Sequence, residues 1–353
     1  MQLVSIIIPT KDRLELLKHT IASVRAQTYP HWECLVVDDS STDGTPEAVE
    51  QLGREEPRIR LLRRAGAQGG ASACRNQGFA AARGDYVVFL DSDDLLAPFC
   101  LEQRVKVMQA HPEVEFAVSP CILFQDHPAD LRQLMRPFNT PEDDLARFLK
   151  KDIVWVTTGP IWRRTALKAL GPWDAKLLSG QEWDLHIRAL TSRIPYMKSN
   201  EPDWFWRVSG ARQTIGSRWF EPPSLANRQA QLFAIAQRVQ AAGMLTTARR
   251  YACLTAFLQE SFYLARHGRV RDALRFWAGL RRDPVLAPNP ALHTMLLLFL
   301  GLQRIRFVRG LAAWLLAPWL PAEFRFVVNV HNRAPSYADP NCRALRVYRD
   351  SVE

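Results

Sequence analysis

The sequence predicts an α/β fold in which a mainly parallel β-sheet, flanked by helices, is followed by a mostly helical region. Two observations predict the sheet: apolar runs of strand length alternate with helical patterns over residues 1–100, and polar clusters follow three of those runs. A third observation separates the rest of the chain, because residues beyond 224 have helical spacing throughout. We therefore predict one domain over residues 1–220 and a basic, mostly helical region over 221–353.

Continuous apolar runs predict strands that are buried on both faces, and helical spacing predicts the segments between them. Val4 to Ile8 is such a run, and Leu17, Ile21 and Val24 lie on one side of the helix that follows. Pro46 marks a helix start, since proline is favoured in the first turn. In chain order we predict strands over 4–8, 32–37, 58–62 and 86–90, and helices over 14–26, from 45, and over 71–82.

Beyond residue 150 the strand signal is weaker. We predict a strand over Ile153–Thr157 and helices over Arg163–Leu170 and Glu182–Leu190. The segment from Tyr263 to Pro284 is similar to a single tetratricopeptide-like helix pair, and a solenoid needs several, so a helical hairpin is expected. Further helices are predicted over 224–242, 245–266 and 270–282.

The charge is distributed unevenly. Residues 1–220 hold 28 Lys and Arg against 28 Asp and Glu, whereas residues 221–353 hold 18 Arg, no Lys and 8 acids, and so carry the whole net charge of +10. Such a region could meet anionic lipid or a phosphorylated acceptor. No recognised nucleic-acid motif accompanies the arginines, so no nucleic-acid partner is expected.

Cysteine usage and the apolar segments bear on the compartment. The six cysteines have no CxxC spacing, which argues against a zinc knuckle or a redox pair. The start of the chain lacks a signal-peptide pattern, and its apolar run ends at Pro9, so a cytoplasmic protein is expected. Residues 290–320 are apolar but interrupted by arginines. Either a core helix pair or peripheral contact with the inner face of the membrane would account for them.

Polar clusters follow three predicted strands: Thr10-Lys11-Asp12, Asp38-Asp39, and the run Asp91 to Asp94. The carboxyl ends of parallel strands meet at one edge of a sheet, where ligands bind. Carboxylates can hold Mn²⁺ or Mg²⁺, and the cation can bridge to phosphate groups that carboxylates alone would repel. Asp91 and Asp93 point to one side of an extended segment, with Asp94 as a further metal ligand. A polar turn is the alternative interpretation.

Four motifs together resemble glycosyltransferase family 2, of the non-processive type. The resemblance covers residues 3–210 and implies a GT-A fold, with a donor half over about 1–100 and an acceptor half over about 101–220. It also implies a nucleotide-sugar donor, with a UDP-sugar preferred, a divalent cation, and inversion at the anomeric carbon. The motifs, in order, are Ser5–Thr10 with Arg13, Val36–Thr45, Gly70–Gly78 leading into Arg83–Asp94, and Gly180–Leu185.

The resemblance also implies roles for single residues on the donor side. Asp39 matches a carboxylate that binds the base or ribose, and Pro9 and Lys11 lie where the family's first loop touches the nucleoside. Arg75 matches a cationic position near the donor, with a surface ion pair as the alternative. For Asp38 an Asx-type turn is the alternative to ligand contact.

On the acceptor side, the family places an Asp before a Trp as the general base. Here Gln181-Glu182-Trp183 stands in that place, so Glu182 is predicted to be the base. Trp183 and Asp184 are predicted acceptor contacts, with structural pairing as the alternative for Asp184. His186 could share a face with Glu182, but a core histidine is the preferred interpretation.

The aromatic group at 204–206 follows the predicted catalytic region. Sugar faces pack on flat rings, so Trp204 and Trp206 are predicted to form an acceptor platform, with a core role for two of the three rings as the alternative. The segment 213–219 does not reproduce the Gln-x-x-Arg-Trp motif of processive members. Transfer of one sugar to a saccharide or lipid-linked acceptor, in cell-surface polysaccharide or glycolipid synthesis, is therefore expected.

Two other classes remain open. A nucleotidyltransferase would normally have a Gly-rich phosphate loop after the first strand, where this chain has Pro9-Thr10-Lys11-Asp12-Arg13. A catalytically degenerate GT-A protein could instead serve as a nucleotide-, carbohydrate- or partner-binding module. The departure at Gln181-Glu182 is the sequence feature that favours this alternative.

Overall fold

The computed structural model describes residues 1–64, 69–135, 138–208, 222–288, 336–337 and 342–350. They form two compact units. The sheet unit takes the described residues within 1–140, 155–216 and 335–353, and the helical unit takes those within 141–154 and 217–334. The domain boundary predicted near residue 220 lies outside the described residues. The contacts differ from the predicted division in two places, since 141–154 belongs to the helical unit and 342–350 to the sheet unit.

The secondary structure follows the predicted alternation closely up to residue 90. The described elements include a short 3₁₀ helix, Gly279–Arg282, which directly follows the α-helix Val270–Ala278. In chain order the described elements are β1 (Val4–Thr10), α1 (Leu14–Arg25), β2 (Trp32–Asp38), α2 (Thr45–Glu55), β3 (Ile59–Arg63), α3 (Ala71–Ala81), β4 (Tyr86–Phe89), β5 (Leu95–Leu96), α4 (Cys100–Ala110), β6 (Phe116–Val118), β7 (Cys121–Phe124), β8 (Gln133–Leu134), α5 (Asp144–Leu149), β9 (Pro160–Arg163), α6 (Arg164–Leu170), α7 (Gln181–Thr191), β10 (Tyr196–Lys198), β11 (Trp204–Arg207), α8 (Pro222–Ala241), α9 (Thr247–Arg266), α10 (Val270–Ala278), β12 (Ser336–Tyr337) and α11 (Arg343–Asp350).

Seven strands form the main sheet in the order β10-β6-β9-β4-β1-β2-β3. β1 pairs in parallel with both β2 and β4, and β2 pairs in parallel with β3. β9 is antiparallel to its two neighbours, β4 and β6. The mainly parallel sheet and its four predicted strands are therefore confirmed. β1 continues through Pro9, which lies opposite Val37, and ends at Thr10.

A second sheet, in the order β12-β8-β7-β11-β5, has no counterpart in the sequence prediction. Its strands are two to four residues long, too short to show a periodic pattern. The predicted strand over Ile153–Thr157 is wrong, because these residues have no regular structure and β9 begins only at Pro160. Val154 and Trp155 are buried all the same, and a short apolar run cannot distinguish a buried loop from a buried strand.

A glycine explains why α3 lies so close to the sheet. Ile6, Ile8 and Val36 are buried in the main core cluster of the sheet unit, whereas Ile7, which alternates with Ile6 and Ile8 along β1, lies against α3. A Cβ atom on Gly78 of α3 would lie 2.4 Å from Cγ2 of Ile7, so only glycine permits this approach of helix to strand. The close contact places the N-terminal half of α3 beside the ends of the parallel strands.

A buried ion pair links α4 to the start of β11. Arg104 donates from Nε and Nη2 to the two carboxylate oxygens of Asp203, at 2.9 and 2.8 Å. Its Nη1 donates to the carbonyl of Thr158 at 2.9 Å. Both side chains are buried almost completely, so the paired geometry is required to offset the loss of hydration. The pair holds Thr158 in the chain that leads into β9.

The helical unit consists of α5, α8, α9 and α10 with the 3₁₀ helix, and the helices predicted over 224–282 are confirmed. Glu260 of α9 is buried and pairs with Lys151 and with Arg228, whose Nε lies 3.1 Å from the carboxylate. Among the described helices, none is both long and apolar enough to span a membrane. Residues 290–320, for which a core helix pair and peripheral membrane contact were the two interpretations, lie outside the described residues.

Candidate active site

The three predicted polar clusters meet at one edge of the main sheet. Thr10 at the end of β1 lies opposite Asp38 at the end of β2, and the amide of Asp39 donates to the carbonyl of Thr10 at 2.8 Å. On the other side of β1, the amide of Leu90 donates to the carbonyl of Ile7 at 3.0 Å, which aligns β4 with it. The acidic turn Asp91–Asp94 follows directly. Parallel pairing therefore brings together clusters that lie more than 80 positions apart in the chain, as Thr10 and Asp91 do.

Two arginines, one on α3 and the other just before α1, pair with aspartates of the acidic turn. Nη2 of Arg75, on α3, lies 2.6 Å from Oδ1 of Asp91, and Nη1 of Arg13, just before α1, lies 2.7 Å from Oδ2 of Asp93. The two carboxylates keep 36% and 29% of their side-chain surface exposed. Asp91 and Asp93 are therefore held in place and remain accessible to a ligand.

Asp94 has a different environment. It is almost fully buried, and its carboxylate accepts the hydroxyl of Thr158 at 2.8 Å and the amide of Arg207 at 3.2 Å. Burial raises the pKa of Asp94 well above its usual range, and the charges of Asp93 and Asp91 raise it further. Asp94 thus anchors the turn to β11 and to the segment before β9, and its oxygens are already used by protein donors.

The carboxylate oxygens of Asp91 and Asp93 suit a divalent cation of the Mg²⁺ type. Burial and the neighbouring Asp91 raise the pKa of Asp93, while Arg13 acts in the opposite direction, so added positive charge would be favourable here. Within the described ranges, no three His, Cys, Asp or Glu side chains converge as a ready-made metal site. Mg²⁺ is usually held by one or two carboxylates together with substrate phosphates, and Asp91 and Asp93 meet that requirement.

The nucleoside end of the predicted site is built around Asp39. Its carboxylate pairs with Nε of Arg64 and accepts the amide of Gly70 at 2.8 Å. Asp38 accepts the amide of Ser41, three residues on, at 3.0 Å, a local hydrogen bond similar to the Asx-type turn considered as its alternative. Lys11 is exposed just beyond the end of β1.

Several buried polar atoms near this edge have no hydrogen-bond partner within the described part of the chain. They are Oγ1 of Thr10, Oδ1 of Asp38, Oγ of Ser72 and Nε of Arg75. Thr10 and Asp38 end adjacent strands, and Ser72 and Arg75 lie one turn apart on α3. Buried polar groups are normally satisfied, so a group of unsatisfied ones indicates a place for a polar ligand.

On the acceptor side, Glu182 lies in the first turn of α7 and is half-buried. Asp184 pairs with Arg188, four residues on, at 2.8 Å, which is the structural pairing considered as its alternative. The prediction that Trp183 and Trp204 contact the acceptor needs correction, because both side chains lie in the core with 3% and 1% exposure. Trp206 is half-buried and is the ring of the 204–206 group that retains exposed surface.

His186 is a core residue, in agreement with the preferred interpretation. Its ring stacks on Trp162, with centroids 6.2 Å apart and planes within 3°. Burial lowers the pKa of His186 to about 3, and the positive charges of Arg188 and Arg75 add to the effect. The imidazole is therefore neutral at physiological pH.

Sequence reasoning missed several residues that contact the acidic turn. Arg13 belongs to the first of the motifs that resemble family 2. Its place in that motif could have indicated a role in the site, but none was predicted for it. Thr158 and Arg207 lie 64 and 113 residues from the carboxylate they bind, and no local pattern marks them. Trp173 packs its ring against Arg75, with the guanidinium carbon 4.6 Å from the ring centroid, and likewise had no sequence signal.

The sheet, its flanking helices and the acidic turn at the carboxyl edge define a GT-A fold. The model for "Glycosyl transferase family 2" matches residues 5–171. An uncharacterized glycosyltransferase, alr2836 of Nostoc sp., is 34% identical over 224 residues, which are 61% of this chain and 67% of that protein. The chain belongs to glycosyltransferase family 2.

Two further comparisons are informative. The putative teichuronic acid biosynthesis glycosyltransferase TuaG of Bacillus subtilis is 39% identical over 106 residues, which are 30% of this chain and 42% of TuaG. The chain thus matches less than half of that relative's length. The crystal structure of S. aureus TarS 1–349 in complex with UDP-GlcNAc superimposes with a TM-score of 0.65 at 17% identity, covering 94% of this chain and 91% of that one. At this identity the likeness shows the fold alone.

Proposed function

We propose that the protein transfers one sugar from a nucleoside-diphosphate sugar to a hydroxyl of a saccharide or lipid-linked acceptor, with inversion and with Mn²⁺ or Mg²⁺. The observation that carries the proposal is the acidic turn 91–94, where two accessible aspartates lie beside Arg75 and Arg13. The name of TuaG supports a role in cell-surface polysaccharide or glycolipid synthesis. The UDP-GlcNAc bound to TarS supports a UDP-sugar as donor.

We assign binding of the nucleotide-sugar donor to residues at the carboxyl edge of the sheet. We assign the base or ribose to Asp39, with Pro9 and Lys11 beside the nucleoside, and the diphosphate to Arg75. Asp93 and Asp91 would hold the cation, and Asp94 keeps their turn in place through Thr158 and Arg207. A bound cation would neutralise the charge that develops on the leaving diphosphate.

On the acceptor side we assign the general base to Glu182. Its carboxylate takes the proton of the acceptor hydroxyl as that oxygen forms a bond to the anomeric carbon. The bond from this carbon to the diphosphate breaks, and its electron pair leaves with the nucleoside diphosphate. Attack opposite the leaving group inverts the configuration. Glu182 lies in the first turn of α7, where the helix dipole is favourable to a carboxylate.

The first experiment is a thermal-shift screen of UDP-, GDP- and dTDP-sugars with and without Mn²⁺, followed by donor hydrolysis with the best nucleotide. A metal-dependent rise in melting temperature is expected for at least one of them. If no nucleotide stabilises the protein in a metal-dependent way, the donor site is assigned wrongly.

The second experiment compares Glu182→Gln with the wild type. Loss of the base should lower kcat by about 10²- to 10⁴-fold, while the affinity for UDP with Mn²⁺ stays within about twofold. The matched control is Glu113→Gln, because Glu113 is an exposed residue whose partner is His111, and this variant should keep full activity. Nucleotide binding without turnover in the wild type would favour the degenerate binding module instead.

A further inference from the structure

Arg188 of α7 binds the chain at the end of α6. Its Nε pairs with Asp184 at 2.8 Å, its Nη1 donates to the carbonyl of Leu170 at 2.8 Å, and its Nη2 donates to that of Pro172 at 2.9 Å. Leu170 is the last residue of α6, so its carbonyl has no intrahelical partner, and Pro172 lies in the chain just beyond the helix. Gly171, between them, has a φ of 85°, so the turn departs sharply from the helix. The side chain of Arg188 is only 11% exposed, and its guanidinium fixes the course of 170–172.

The next residue, Trp173, is fixed from the opposite side by α3. Its amide donates to Oδ1 of Asn76 at 2.8 Å, and its carbonyl accepts from Nδ2 of the same side chain at 2.9 Å. Its ring meets Phe89, the last residue of β4, edge to face, with centroids 5.1 Å apart. Trp173 is therefore held by backbone and ring between α3 and the strand that leads into the acidic turn.

The free face of this ring carries Arg75. The guanidinium carbon lies 4.6 Å from the ring centroid, while Nη2 binds Asp91 at 2.6 Å. Arg75 is 5% exposed, so the attraction between cation and ring is little screened by water. The ring is an anchor that does not depend on Asp91, whose carboxylate would be shared with a cation and donor once these bind.

We propose that Arg188 and Trp173 are positioning residues that hold Arg75 in the donor site and link it to the helix that carries Glu182. The proposal rests on the proposed function, in which Arg75 meets the donor diphosphate. A guanidinium that is held in place before the ligand arrives loses less conformational entropy when the ligand binds. The affinity for the ligand is therefore higher. The contact path runs from Arg188 through the backbone of 170–173 and the ring of Trp173 to Arg75.

The test is isothermal titration calorimetry of UDP in the presence of Mn²⁺. We expect Arg188→Ala and Trp173→Leu each to raise the Kd of UDP about tenfold, because Arg75 then loses the ring contact that holds its guanidinium before the ligand binds. Trp173→Phe keeps an aromatic face and should bind within about threefold of the wild type.

The chain offers a matched control in Arg163. Its Nε donates to the carbonyl of Val114 at 2.7 Å, and its Nη2 donates to those of Met108 and His111 at 2.9 and 3.3 Å. Arg163→Ala thus removes the same kind of guanidinium–carbonyl contacts from the same unit, away from Arg75. It should lower the melting temperature as Arg188→Ala does and leave the Kd of UDP within about twofold.

A double-mutant cycle establishes whether Arg188 acts through Arg75. In the Arg75→Ala background, Arg188→Ala should have almost no further effect on UDP affinity. An equal tenfold loss in both backgrounds would overturn the proposal, as would unchanged affinity in Arg188→Ala. Should Arg188→Ala not fold, Arg188→Lys keeps the charge but cannot reach both carbonyls, and it replaces the alanine variant in the cycle. If the wild type and Arg163→Ala bind no UDP with Mn²⁺, it is the UDP-sugar donor of the proposed function that fails, and not the positioning of Arg75.

Discussion

Burial separates the three aspartates of the acidic turn into two kinds of residue. Asp91 and Asp93 are each paired with one arginine and keep about a third of their side-chain surface, whereas Asp94 is enclosed by Thr158 and Arg207. Asp91 and Asp93 are accessible from solvent, whereas Asp94, which was also predicted to be a metal ligand, is buried. All three residues are aspartates of the same motif, so the difference in their exposure comes from the residues that surround them.

Asp93→Asn should remove the metal-dependent part of nucleotide binding. A neutral amide is a poorer ligand for a hard cation, and Arg13 loses its ion pair, so we expect the Kd of UDP with Mn²⁺ to rise about 10- to 100-fold. Titration calorimetry with and without EDTA measures the effect. EDTA should weaken binding by the wild type to the level of the variant and leave the variant unchanged.

The control for this substitution is Asp126→Asn, an exposed aspartate after β7. It should bind UDP like the wild type, both with Mn²⁺ and with EDTA. Persistent Mn²⁺-dependent affinity in Asp93→Asn would show that the cation is held elsewhere.

Within the elements, α7 contributes one residue to the predicted site and others to the core of the sheet unit. Glu182 is half-buried in its first turn, and His186, one turn later, lies deep among Trp155 and Trp162. Arg188, in the following turn, reaches the end of α6. The position of the predicted base therefore depends on the packing of the rest of the helix.

The buried His186 predicts a pH dependence of stability. The unfolded chain takes up a proton below the ordinary histidine pKa of 6.5, whereas the folded ring stays neutral down to about 3. Protons therefore favour the unfolded state, and the free energy of unfolding should fall by up to about 1.4 kcal/mol per pH unit as the pH drops below 6.5.

Urea unfolding of the wild type and of His186→Phe at pH 7 and pH 5 measures this effect. The aromatic replacement keeps the stacking, so its stability should fall by about 2 kcal/mol less than that of the wild type over this range. His19→Gln, at an exposed position of α1, should behave like the wild type. An equal fall in His186→Phe would contradict the assignment of a neutral core histidine.

At the scale of the whole molecule, the residues assigned to the donor and the main ionic cluster of the helical unit belong to different units. In the helical unit, burial acts to raise the pKa of Glu260, but Lys151 and Arg228 outweigh it and the pKa is lowered. The stabilisation is present above the ordinary glutamate pKa and is lost as the pH falls through the folded value.

Glu260→Gln should lower the free energy of unfolding by about 3 to 5 kcal/mol, because two cations lose their buried partner. Calorimetric unfolding measures the loss, and the Kd of UDP with Mn²⁺ should stay unchanged because the assigned donor residues lie in the sheet unit. Glu142→Gln, which removes a more exposed carboxylate from Lys150 in the same helical unit, is the control and should cost less than about 1 kcal/mol. A large loss of UDP affinity in Glu260→Gln would contradict the separation of roles.

The four parallel strands, the helices between them and the place of the acidic turn could all be predicted from the order of residues. Strands buried on both faces need continuous apolar runs, and the motifs that resemble family 2 are local, so both are visible in the order of residues. The core positions of Trp183 and Trp204, and the enclosure of Asp94 by Arg207 and Thr158, became visible only in the folded chain. These contacts join residues far apart in the chain, through strands too short to carry a pattern. Burial at such places depends on which surfaces meet, and that follows from packing of the whole sheet unit.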